Sequence, residues 1–203
     1  MNLYAAKLIL QTTAQIRLKV YDSYAIHRIV MDLFDLNRSP EELYSHVSSG
    51  IQWVDKGEHI YGREIQLLSV HPPRAFEFPE DISFAWKKIN DDFLEHDLYR
   101  FSILVNPCRM QDGKRVGITN ESEICAWFNR HANISGFEVK KMEINHPKIT
   151  KFKKGGRTIS YLGVKLNGLL EVRDRNKFKN TFAKGIGKGR AFGYGLLQLS
   201  VIK

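Results

Sequence analysis

Tyr24 and His27, in the stretch DSYAIHRIVMDLF, stand three residues apart, and on a helix that spacing puts both side chains on one face. Histidine is the side chain whose ordinary pKa best suits proton transfer near neutral pH. A phenol beside it can donate a hydrogen bond to a phosphoryl oxygen or help to place a nucleophile. The same pair also fits a histidine satisfied inside a core, and spacing alone leaves both readings open.

Two further stretches carry charge where an anion could reach it. In HPKITKFKKGGRTISYLGVKL, Gly155-Gly156 is a hairpin-turn dipeptide. Lys151, Lys153 and Lys154 precede it and Arg157 follows. A basic hairpin tip of this size can track a duplex groove and neutralise phosphates; a solvated turn is the competing reading. In KGIGKGRAFGYGLLQLSVIK five of the chain's 15 glycines fall between Gly185 and Gly195. Gly185, Gly187 and Gly189 would let backbone N–H groups approach phosphate oxygens, with Lys188 and Arg190 supplying charge.

Several chemistries find no support. The glycine run lacks the GxxxxGK[ST] phosphate loop, and it follows a helix and precedes a strand, the reverse of a dinucleotide fingerprint. Asp92, His96 and Asp97 in DDFLEHD could offer metal ligands, but the stretch reads better as a solvated acidic linker, and His46, His59, His71, His131 and His146 lack ligand spacing. No metal and no cofactor is expected. No GxSxG elbow occurs. Cys108 and Cys125 form no CxxC pair and read as core residues, which suits a reducing cytoplasm.

The formal charge of +9 is unevenly placed. Residues 1–139 hold 15 Lys/Arg against 19 Asp/Glu, whereas residues 140–203 hold 16 against 3. Segregation of this kind points to a polyanionic partner, nucleic acid ahead of membrane, since no basic amphipathic helix dominates the region. A merely solubilising surface would not need segregated charge. No apolar stretch approaches the roughly 20 residues of a membrane span. The N-terminal MNLYAAKLILQTTAQ reads as a strand rather than a signal segment.

The elements that must hold these groups follow from periodicity. A strand is expected near residues 3–11, then a helix capped by Asp22 or Ser23 with Ile26, Ile29, Val30 and Leu33 as its apolar stripe. Strands follow in YGREIQLLSV and SFAWKKI. The second half reads as a strand at 99–108, a helix at 122–132, strands at 136–144 and 158–172, a helix at 174–184 capped by Asp174, and a last strand taking in Leu196, Leu197, Leu199, Val201 and Ile202. That is the β-α-β-β-α-β order of a ferredoxin-like domain. The first half starts the same way without an obvious second helix. The expected fold is therefore α+β, two tandem ferredoxin-like (RRM-like) domains with the first degenerate, divided at the acidic NDDFLEHD into residues 1–93 and 94–203.

DSYAIHRIVMDLF, YRFSILVNPCRMQDGKRV and VKLNGLLEVRD followed by KGIGKGRAFGYGLLQL together resemble the CasE family, the CRISPR RNA-processing endoribonucleases of type I-E systems, across essentially the whole chain. Ile26 and Met31 stand where the family often has Leu and Trp. The resemblance implies metal-independent cleavage of a precursor crRNA repeat hairpin at the base of its stem, with Tyr24 and His27 as the catalytic pair. It implies attack by the RNA's own 2′-hydroxyl, leaving a 5′-hydroxyl and a 2′,3′-cyclic or 3′-phosphate; whether His27 acts as base or acid stays open. The RNA-binding set it implies is Arg28, Lys151, Lys153, Lys154, Arg157, Gly187, Lys188 and Arg190. It further implies retention of the product with other subunits of a Cascade-type complex, in a cytoplasmic protein that is monomeric in isolation and meets no membrane. Against this stands a non-catalytic RRM-like RNA-binding module, for which the aromatic-rich GRAFGYGLLQL would serve as signature strand, or a purely structural subunit.

Overall fold

In the computed structural model, which describes residues 2–35, 49–75, 77–154 and 156–202, the first half of the chain forms one antiparallel sheet. Its elements are β1 (Tyr4–Leu10), α1 (Thr12–Arg17), α2 (Ser23–Asp32), β2 (Ile51–His59), β3 (Gly62–Ser69) and β4 (Ile82–Lys88), and the strand order is β2-β3-β1-β4. The Asp22 carboxylate accepts hydrogen bonds from the amides of Tyr24 (3.0 Å) and Ala25 (2.9 Å), which starts α2. Ile26, Val30 and Leu33 recur at helical spacing and are buried against Leu8, Leu10, Ile65 and Leu67 of the sheet. Each contributes roughly 1.5–3 kcal/mol on burial. Where a second helix would lie, residues 70–81 carry Pro72, Pro73 and Pro79, which donate no backbone hydrogen bond. Arg74 N donates to Leu33 O (3.0 Å), and Phe78 packs on Phe84 at 5.5 Å between ring centroids.

The second half contains β5 (Leu98–Val105), a hairpin of β6 (Cys108–Gln111) and β7 (Lys114–Gly117), α3 (Glu121–Ile134), β8 (Phe137–Ile144), β9 (Lys148–Lys154), β10 (Arg157–Val172), α4 (Arg175–Lys184) and β11 (Gln198–Val201). Its sheet runs β11-β5-β10-β8. In both halves the first and third strands are central and the second and fourth lie at the edges, the arrangement of tandem ferredoxin-like domains with the first lacking its second helix. Alternate residues of β5, Tyr99, Phe101, Ile103 and Val105, face inward and are covered by Ile124 and Phe128 of α3 and Phe178 and Phe182 of α4. Asn120 and Asp174 cap the two helices by accepting from the amides of Glu123 and Lys177. The 16-residue β10 outruns the sheet, and its first half pairs only with β9, so the β9–β10 hairpin projects.

The halves pack directly. Leu3, Val54 and Leu68 of the first join the core that holds Phe182, Leu196 and Leu197 of the second. Gln52 Nε2 donates to Phe182 O (2.8 Å), and Lys56 Nζ donates to Gln198 Oε1 (2.9 Å).

Several features differ from the sequence expectation. Helix α1, strand β2 and the β6–β7 hairpin have no counterpart in it. The last strand begins at Gln198, because Gly195 takes φ +84° and its amide donates to Leu104 O (2.7 Å), which keeps Leu196 and Leu197 off the ladder and turns both into the core. Gly155 of the proposed Gly155-Gly156 turn lies outside the described residues; Gly156 has φ +74°.

Candidate active site and nucleic-acid interface

Tyr24, His27, Arg28 and Met31 lie at i, i+3, i+4 and i+7 along α2, a stripe beside the buried one. The rings of Tyr24 and His27 have centroids 6.4 Å apart and planes inclined by 28°. Both are half-buried, and the exposed Arg28 places its guanidinium carbon 5.8 Å from the Tyr24 ring centroid. One helix flank thus offers a titratable imidazole, a phenol and a cation.

The second part of the site is the glycine-rich segment after α4. Gly185, Gly187, Gly189, Gly193 and Gly195 all take φ between +77° and +88°, so the segment coils in a conformation that other residues adopt only at a cost. Lys188 is exposed, and Arg190 Nη1 donates to Lys184 O (2.8 Å), which ties its guanidinium to the end of α4. The amides of Gly187, Lys188 and Gly189 have no backbone acceptor among the described residues.

These two parts meet. Tyr24, His27 and Arg28 line one cleft of about 970 Å³ together with Gly187, Lys188 and Arg190. The short turn Arg190–Phe192 lies against α2, with the Phe192 ring 5.8 Å from that of His27. Phe192 in turn packs on Phe152 (4.5 Å) and Tyr161 (5.7 Å), which joins the loop to the base of the β9–β10 hairpin. Burial pushes the Tyr161 phenol above its ordinary pKa, so at neutral pH it faces the cleft as a hydrogen-bond donor rather than a base.

Lys151, Lys153 and Arg157 are not among the residues that line this cleft, and they divide between two faces. Phe152 is buried, while its neighbours Lys151 and Lys153 are exposed and stand opposite Ser160 and Thr158. Arg157, also exposed, falls by alternation on the face of Phe152 and Tyr161. The backbone of Lys154 pairs with that of Arg157.

Cleft residues absent from the sequence expectation include Arg17, Lys19, Gln52, Trp53, Tyr161, Lys184 and Phe192. Lys19 is exposed with φ +54°, a left-handed backbone at the end of α1 where glycine is usual; no sequence pattern shows that. The aromatic residues of GRAFGYGLLQL do not sit on an open strand: Phe192 belongs to the turn and Tyr194 is buried against Tyr161. Asp97 pairs with Arg175, and the His96 ring meets the edge of Tyr99. Among the described residues no group of three His, Cys, Asp or Glu converges as metal ligands. No helix among them is long and apolar enough to cross a membrane.

Comparison with known proteins places this geometry. The CRISPR-associated endoribonuclease Cse3 of Thermus thermophilus is 29% identical over 115 residues, which is 50% of this chain and 54% of that protein, so the match spans about half the relative's length. The structure of Thermus thermophilus Cse3 bound to an RNA representing a pre-cleavage complex superposes with a TM-score of 0.82 at 21% identity, covering 99% of this chain and all of that one. The CRISPR-associated protein Cas6e of Escherichia coli K-12 does so at 0.73 and 19%, covering 98% and 100%. These likenesses establish the fold. The model of the CRISPR associated protein family matches residues 3–200. The chain belongs to that family, as its resemblance to the CasE proteins predicted.

Proposed function

We propose that the protein is an endoribonuclease that cuts CRISPR repeat hairpins in precursor crRNA at the base of the stem, without a metal ion. The observation that carries this reading is the meeting of Tyr24 and His27 with Lys188 and Arg190 in one cleft, from opposite halves of the chain. In this reading residues 1–93 supply the Tyr/His helix, and residues 94–203 supply the loop and the basic hairpin.

RNA brings its own nucleophile, the 2′-hydroxyl beside the scissile phosphate. The protein has to hold that oxygen in line with the departing 5′-oxygen, move a proton and stabilise charge on the phosphorane-like transition state. His27 moves the proton. Tyr24 donates a hydrogen bond to a phosphoryl oxygen or to the nucleophile. Lys188, Arg190 and the amides of Gly187 to Gly189 face the developing negative charge, and Arg28 and Lys19 extend the cationic wall. Lys151, Lys153, Lys154 and Arg157 follow the phosphates of the stem outside the cleft. The cut leaves a 5′-hydroxyl and a 2′,3′-cyclic phosphate that can open to a 3′-phosphate, and the stem-bound product stays with the protein inside a Cascade-type complex.

The test is incubation of end-labelled repeat hairpin with the protein in excess EDTA, with the product ends identified chemically. Cleavage giving 5′-hydroxyl and cyclic phosphate ends is the expected result, and an RNA with 2′-deoxy before the cut should bind and stay whole. Strict dependence on Mg²⁺, or cutting of the deoxy RNA, overturns the mechanism.

A further inference from the structure

We propose that Gln52 and Trp53 are positioning residues for the reaction, holding the glycine loop so that Lys188, Arg190 and Phe192 stand against His27. The proposal rests on the endoribonuclease reading, and it begins from the place of these two residues in the fold. Strand β2 is an edge of the first sheet, and consecutive residues of a strand point to opposite faces. The loop passes over both. On one face Gly185 lies so near the Gln52 amide that a Cβ there would collide with Oε1. On the other, Gly193 lies on the Trp53 ring, where a Cβ would come within 2.8 Å of Cζ3. Their backbones take φ +77° and +88°. Conformation therefore favours glycine at both points, and at Gly193 the Trp53 ring requires it by close approach as well.

Gln52 adds a bond to this contact. Its Nε2 donates to Phe182 O at 2.8 Å, in the last turn of α4 before the loop departs. Gln52 and Trp53 are only 2% and 1% exposed. Gln52 Oε1 has no hydrogen-bond partner among the described residues, so the amide is used through its NH₂ alone. Two neighbours on one edge strand thus fix both ends of the segment, and what spans the anchors carries Lys188, Arg190 and the ring that meets His27. The two halves of the site belong to different sheets, and this dipeptide sets one against the other.

Gln52→Leu, which fills the space without the donor, and Trp53→Phe, which keeps an aromatic core residue, test the claim in the full chain. Each should slow single-turnover cleavage at saturating protein by about tenfold or more, since small misplacements of reacting groups are costly. Affinity for a 2′-deoxy hairpin should stay within about threefold, because the stem contacts lie elsewhere. Hydrogen exchange of the Ile186 and Gly195 amides in the free protein should quicken by about tenfold or more while that of the α2 amides holds, as local opening would require. Unchanged exchange in both variants overturns the anchoring whether or not the protein cuts RNA. Faster exchange with wild-type cleavage overturns the positioning role, and a parallel fall of rate, affinity and melting temperature assigns the pair to folding alone. Absence of cleavage by the wild-type chain sinks the endoribonuclease reading instead, with the exchange result still judging the anchoring.

Discussion

The rings of His27 and Phe192 lie 5.8 Å apart, although one residue stands on the helix of the first sheet and the other in the turn that follows α4 of the second half. The contact makes the environment of the imidazole depend on how the halves dock. Phe192→Leu keeps an apolar side chain of similar volume and should cost less than about 1.5 kcal/mol of stability in urea unfolding. It should nonetheless slow cleavage, since Phe192 also packs against the rings of Phe152 and Tyr161. Cleavage at the wild-type rate would show that His27 keeps its place without the ring.

The division of the hairpin cations gives a test by face. Lys151→Ala with Lys153→Ala removes two charges from one face, and Arg157→Ala removes one from the other. For every phosphate that a variant no longer neutralises, the slope of log affinity against log salt should fall by about 0.7 to 0.9. Titration of a 2′-deoxy hairpin across salt concentrations shows which face meets the stem; unchanged slopes for all the variants mean a solvated hairpin.

Lys19→Gly should raise stability and weaken RNA binding together. The left-handed backbone at φ +54° costs a residue with a Cβ roughly 1–2 kcal/mol. Glycine's greater freedom in the unfolded chain offsets about 0.5–1 kcal/mol of that gain. A higher melting temperature with lower affinity for the deoxy hairpin is the expected pair of results. Equal affinity would remove Lys19 from the cationic wall.

His131 provides a pH signature. Burial, with Arg130 adding to it, holds its pKa below the ordinary 6.5, beside a Trp127 ring centred 4.2 Å away. A group with a depressed native pKa stabilises the fold fully above its unfolded value. That contribution is lost as pH falls below 6.5 and through the lowered native pKa. His131→Phe should flatten the fall in stability across this acid window in urea unfolding followed against pH. An unaltered pH dependence would show that other groups set it.

Much of this arrangement is legible in the sequence for identifiable reasons. Helix α2 announces itself through Asp22 and the spacing of Ile26, Val30 and Leu33, and that frame places Tyr24 and His27 on one flank. The ferredoxin-like order of the second half is plain because β5 alternates cleanly and Asp174 marks the start of α4. Strand β2 is hidden because both its faces are covered, one by α2 and the other by the second half, so Ile51 to Val54 are all buried, the polar Gln52 among them, and the residue types do not alternate as burial of one face would require. Helix α1 has six residues and no side-chain cap from Gln11. The joining of Tyr161 and Phe192 to a cleft with His27 is tertiary, between residues more than a hundred positions apart, and no local pattern encodes it.

Proton transfer by His27 is the step on which the proposed cleavage depends. His27→Ala should slow single-turnover cleavage of the repeat hairpin by roughly 10²–10⁴-fold. The same variant should bind a 2′-deoxy hairpin with nearly wild-type affinity, because phosphate contacts supply most of the binding, and its melting temperature should stay close to that of the parent. Tyr24→Phe, which loses one hydroxyl and keeps the ring, should fall between the two. A much slower rate with intact binding and folding is the result predicted; a wild-type cleavage rate in His27→Ala would contradict the account outright.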